Sequence, residues 1–100
     1  MKNIGETLRE LRESNGLLLR EVGAALSLDP TLLSKIERCD RMPTKQQVIS
    51  LSEYYNDKNS EVIIAWLSDK IVYQLQDEEL GLEAMKVAEQ KIEYLKTAKT

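Results

Sequence analysis

Residues 27–44, SLDPTLLSKIERCDRMPT, decide how this chain folds. Asp29 followed by Pro30 is a strong helix start. The carboxylate can accept a free backbone N–H of the first turn, and proline lacks an N–H that the helix would leave unpaired anyway. On a wheel of about 100° per residue, Thr31, Ser34, Lys35 and Arg38 fall at i, i+3, i+4 and i+7 and form one polar stripe. Leu33 and Ile36 point the other way. A solvated surface helix has this pattern, and so does a helix lying against something negatively charged.

Working outward, apolar periodicity gives helices throughout and little strand signal. Ile4, Leu8 and Leu11 stripe a first helix that ends at Asn15-Gly16, and Val22, Ala25 and Leu26 form the apolar face of a second. SLD at 27–29 is a tight turn into the third helix, residues 30–38. CDRMP is a loop, and Thr44 caps a fourth helix over KQQVISLSEYY. Ser60 starts a fifth, EVIIAWLSDKIVYQLQ, and a last helix runs from about Glu79 to Ala98. The acidic run at 77–80 reads as that helix's start, favoured by the macrodipole, rather than as a metal site. Composition shifts gently near residue 58. The expected division is therefore a bundle over 1–58 and a helical extension over 59–100.

One hundred residues with 42% apolar content suffice for one core, and no apolar run is long enough to span a bilayer. The N-terminal stretch has no signal-peptide core, and the single Cys39 excludes an internal disulfide framework. A cytoplasmic protein is expected. Net charge is −3, but its distribution matters more than its sum. Residues 1–45 hold eight basic against seven acidic side chains, and residues 46–100 hold six against ten. Lys35, Arg38, Arg41 and Lys45 concentrate the positive charge in the opening stretch. Neutralising a phosphate backbone needs a cationic patch, not a cationic protein.

Two charges sit at the margins of apolar faces: Arg12 beside Leu8, and Glu37 beside Leu33. A half-buried charge is costly unless paired, so these two are expected to pair; the alternative is that both reach out to water. With no histidine in the chain, Ser-His, Cys-His and His-based metal sites are excluded. The glycines are isolated, which leaves no phosphate-cradling loop. No enzyme activity, metal or cofactor is expected. Cys39 reads as a loop residue and not a redox sensor, because no second thiol is present to resolve an oxidised form.

Taken in order, these segments resemble the helix-turn-helix domain of phage repressor and Cro-like regulators, the XRE-type family. LRELRESNGL is similar to the family's first helix, with its arginine four residues before the glycine. REVGAALSLD resembles the second helix and turn, PTLLSKIER the third with its Ile-Glu, and RMPTKQQVISLSEYYN the segment that closes the bundle. The resemblance covers residues 4–56 and implies an all-α, five-helix, lambda-repressor-like bundle followed by the helical extension. It implies that the third helix enters the major groove of double-stranded DNA, with Thr31, Leu32, Ser34 and Lys35 toward base edges. Arg38, Arg41, Lys45 and Gln46 would then meet phosphates, the last two through a helix N-terminus. It also places Arg12 and Glu37 at the family's internal ion pair. The sequence departs from the family at Leu18 and Leu19, where a capping hydroxyl and a phosphate-binding glutamine are usual, so Arg20 or main-chain N–H groups must substitute. Cys39 stands where a glycine often follows the third helix, and Pro30 removes a side chain that often contacts DNA.

The C-terminal half is acidic yet rich in apolar residues. Ile63, Trp66, Leu67, Ile71, Met85, Ala88, Ile92 and Leu95 are expected to build a two-fold homodimer interface, although the last helix folding back on its own bundle is the alternative. Trp66, Tyr54, Tyr55 and Tyr73 read as core or interface, not as a base-stacking platform. The expected function is a homodimeric, sequence-specific transcriptional regulator of the phage-type or restriction–modification controller kind. The competing one is an antitoxin or adaptor whose last helices bind a protein partner.

Overall fold

The structure is a computed structural model and describes residues 2–98. Those residues form six helices and no strand: α1 (Ile4–Ser14), α2 (Leu19–Leu26), α3 (Pro30–Glu37), α4 (Lys45–Tyr54), α5 (Glu61–Leu75) and α6 (Gly81–Ala98). The all-α fold class expected from the sequence is the one observed.

The chain divides into two units, the first ending at Asp69 and the second beginning at Lys70. In the first, α1 and α2 both pack on α3. One core joins Ile4 and Leu8 of α1, Val22 of α2, Leu33 and Ile36 of α3, and Val48 and Leu51 of α4. Val62, Ala65 and Trp66 of α5 belong to the same core. The first unit therefore runs past the boundary drawn at residue 58, because the first turns of α5 are buried with the bundle.

How the helices end explains how four of them fit in so few residues. The chain turns left-handed at Gly16, Ser27, Cys39 and Asn56, with φ of 65°, 56°, 62° and 52°. In each case the following N–H reaches back five residues: Leu17 to Arg12, Leu28 to Gly23, Asp40 to Lys35, and Asp57 to Ser52. These bonds satisfy helix-terminal carbonyls and reverse the chain at once. Only the first of the four positions is glycine, the residue for which this conformation is free of steric cost.

Close approach, not turn geometry, fixes two other glycines. A β-carbon on Gly23 would lie 2.5 Å from the Leu28 carbonyl oxygen and 3.2 Å from Pro30 Cγ. The turn between α2 and α3 thus folds directly over α2. On Gly5 it would meet the Ile36 carbonyl oxygen at 2.8 Å, Cys39 Sγ at 2.7 Å, and the Glu37 carbonyl oxygen closer still. Here α1 rests on the last turn of α3.

α5 is apolar on two sides. Val62, Ala65 and Trp66 face the core, while Ile64 and Leu67 remain 60% and 48% exposed. Ser60 is left-handed at its entry (φ 56°), and the Asp57 carboxylate accepts the Val62 N–H at 2.7 Å. In the second unit Gly81 is the buried residue among those described, set against the Leu75 carbonyl. The acidic run at 77–80 therefore lies in the turn before α6, not in its first turn. No helix among the described residues is long and apolar enough to cross a membrane.

Two substitutions test this geometry by thermal melting. Gly5→Ala is expected to destabilise by about 1–3 kcal/mol, since it drives a methyl group into backbone that cannot yield. Ser27→Gly relieves a left-handed residue and is expected to stabilise by about 0.5–1 kcal/mol. The opposite sign for either would contradict the close approach or the turn described.

Candidate nucleic-acid interface

α3 presents its polar stripe because its other side is fixed. Leu33 and Ile36 are 3% and 0% exposed, which sets the rotation of the helix about its axis. Asp29 Oδ1 accepts the Thr31 N–H at 2.9 Å and pins the first turn. Thr31, Lys35 and Arg38 are exposed and Ser34 is half-buried. Leu32 is half-buried against the core, so much of its surface is already used. Arg38 pairs with Asp40 at 3.3 Å on the open surface. Such an exposed pair is worth little and yields readily to a competing anion.

Beyond α3, Arg41, Lys45 and Gln46 are all exposed along the loop and the first turn of α4. Thr44 and Gln47 cap α4 reciprocally: Gln47 N–H donates to Thr44 Oγ1 at 3.2 Å, and Thr44 N–H donates to Gln47 Oε1 at 3.0 Å. The helix offers no acceptor to the N–H groups of Lys45 and Gln46. They form a site of positive potential at the end of a ten-residue helix. At α2, Arg20 is exposed and Leu19 is packed against the core. Leu18 has no oxygen with which to cap. Instead its own N–H is taken by Glu21 Oε1 at 2.9 Å.

The scaffold behind this face is held by one ionic fork. Arg12 Nε and Nη2 donate to the two Glu37 carboxylate oxygens, each at 2.9 Å, and Nη1 donates to the Leu17 carbonyl at 3.0 Å. Both side chains are largely buried, at 15% and 9% exposure. The bond to Glu37 raises the Arg12 pKa further above its already high value. Tyr55 lies in the field of the same pair. Burial pushes its hydroxyl up to about 12; Glu37 adds to the rise and Arg12 opposes it.

Two anchors of this scaffold carried no local signal in the sequence. Asp69 Oδ2 accepts the Ile4 N–H at 2.8 Å, so a residue of α5 satisfies the start of α1. Trp66 Nε1 donates to the Pro43 carbonyl at 2.9 Å in a buried bond. Of the two places open to Trp66, core or subunit interface, the structure shows the core: its indole is 6% exposed there, and Ile63 is half-buried against the same core. Leu67, Ile71, Met85, Ile92 and Leu95 are exposed by 37–56%, and Ala88 is also exposed.

A helix, a tight turn and a second helix with one face locked and one face open define a helix-turn-helix domain. The chain belongs to that family: the family model for the helix-turn-helix domain matches residues 3–57, which include α1 to α4 and the loops described above. The match marks it as a DNA-binding protein. No curated protein and no solved structure matches the chain.

Removing one arm of the fork strands the other. Arg12→Met is expected to cost about 3–5 kcal/mol in chemical denaturation, and the double variant Arg12→Met/Glu37→Met is expected to recover part of that loss. Additive effects would show that the two side chains are not coupled. Tyr55 supplies an alkaline test. Its folded pKa of about 12 exceeds the unfolded value of 10.0, so the folded state holds its proton more tightly. That contribution is complete below pH 10 and disappears as pH rises toward 12. Tyr55→Phe is expected to flatten the fall in stability over this window.

Proposed function

We propose that the chain is a sequence-specific transcriptional regulator of the XRE type, acting as a homodimer on a two-fold operator through α3. The observation that carries this reading is the polar stripe of exposed Thr31 and Lys35 with half-buried Ser34 between them, on a helix whose opposite face is locked into the core. A fixed helix with a polar face can be laid in the major groove without an ordering cost.

The roles follow from side-chain chemistry. Lys35 donates to guanine O6 or N7, and the Thr31 methyl meets a thymine methyl. Arg38 gives up its surface pair with Asp40 to reach a phosphate. Arg41 and the N–H groups of Lys45 and Gln46 hold the backbone beyond it, and Arg20 serves the side where Leu19 faces inward.

Dimerisation rests on apolar surface. The outer face of α5 offers Ile64, Leu67 and Ile71, and α6 adds Met85, Ala88, Ile92 and Leu95 at alternating three- and four-residue steps. An exposed apolar stripe of this length is normally covered, and a second copy covers it by two-fold symmetry. Two linked recognition helices raise affinity through effective concentration, with half-sites about 34 Å apart. The breadth of apolar exposure along α6 supports a second reading, in which an antitoxin or adaptor uses this helix to hold a different protein.

Selection of duplexes from a random pool, followed by binding titrations, tests the reading. A two-fold consensus is expected, and enrichment of no sequence would contradict specific recognition. Lys35→Ala is expected to cost about 1–3 kcal/mol and relax one base position. Arg41→Ala should weaken all sequences alike and lower the salt slope by about 1. In sedimentation at micromolar concentration, a dimer of the 11.5 kDa chain is expected; a clean monomer would contradict the homodimer.

A further inference from the structure

The loop between α3 and α4 carries Arg41 and leads into the first turn of α4, yet its backbone has few ties of its own. Asp40 N–H closes the last bond of α3, to the Lys35 carbonyl at 2.8 Å. Val48 N–H makes the first main-chain bond of α4, to Thr44 at 3.0 Å. Between Asp40 and Thr44, among the described residues, two anchors hold the chain to the core. Met42 packs against it, and Pro43 is buried with its carbonyl accepting the Trp66 indole N–H at 2.9 Å.

This bond is well suited to set a loop. The indole belongs to α5, which is packed into the core by Val62 and Ala65, so the donor has a fixed position and direction. Proline fixes its own φ, so anchoring its carbonyl settles the chain direction on both sides. Arg41 and Lys45 each lie two residues away, at most about 7 Å of chain. Thr44, the α4 cap, is the next residue. A loop anchored at its middle presents its cations without first having to be ordered.

We propose that Trp66 is a positioning residue for DNA-backbone binding. Its N–H to Pro43 sets the path of residues 40–44, and with it Arg41 and the first turn of α4. The proposal rests on the DNA-binding reading of this face. It adds that α5, which touches no DNA in that reading, governs the strength of the phosphate contacts.

The test is a salt series of binding titrations on the full chain with a short labelled duplex, using two substitutions. Trp66→Phe keeps an aromatic ring in the core. Replacing Trp66 with its benzothienyl isostere keeps the volume as well and removes only the donor, so it decides the matter if the phenylalanine variant does not fold. Both are measured where far-ultraviolet circular dichroism shows a folded chain. Expected is binding roughly 5- to 20-fold weaker, with a salt slope shallower by about 1 as one phosphate contact is lost. A merely structural role would lower the melting temperature and leave slope and affinity of the folded protein at their parent values. That result with the isostere would overturn the proposal. If the unsubstituted protein bound no duplex at any salt, the underlying reading would fail and this one with it. Measuring that protein first keeps the two failures apart.

Discussion

The Arg12 guanidinium is where three segments of the bundle meet. It leaves α1, closes a fork on Glu37 at the end of α3, and takes the Leu17 carbonyl where the chain enters α2. Each of these groups would be costly to bury alone. Together they satisfy one another, and the planar fork of arginine fixes orientation as well as distance. The glycine contacts act on the same joints. Gly5 lets α1 settle on the last turn of α3, and Gly23 lets the turn close over α2. Little freedom then remains for α3 to roll or slide.

A held recognition helix is worth having because its contacts are few. A short helix offers only a handful of side chains to a duplex, so any freedom it must lose on binding is a large fraction of what it gains. The bundle spends its buried polar groups on this rigidity. Asp69 caps α1 from sixty-five residues away, Asp57 caps α5, and Trp66 ties α5 to the loop beyond α3. The surface above stays open, with its acids partly engaged elsewhere: Glu21 with the Leu18 N–H, Asp29 with that of Thr31.

Much of this fold was legible in the sequence because its signals are local. Asp29-Pro30 and Thr44 with Gln47 mark helix starts through hydrogen bonds within three residues, and apolar spacing alone separates the buried from the open side of α3. Wheels placed Arg12 and Glu37 at the margins of apolar faces, but not the Leu17 carbonyl that completes the set. What escaped was non-local or concealed by residue type. Nothing near Asp69 or Trp66 signals a partner far back in the chain, and Trp66 in an apolar run suits core and interface equally. Ser27 in a left-handed turn defies the expectation of glycine, and the closeness demanded at Gly5 exists only once α3 is in place. Of the candidate site, the exposed residues could be read from periodicity. Leu32's half-burial and the Arg38–Asp40 pair could not.

The most direct measurement is amide mapping by nuclear magnetic resonance on the labelled chain, titrated with a duplex at low salt. The largest shifts are expected at Thr31, Ser34 and Lys35, at Arg41, and at Lys45 and Gln46. The core amides of Leu33 and Ile36 should follow only weakly. A spectrum indifferent to the duplex, or changes that bypass α3 and the start of α4, would contradict recognition by this face.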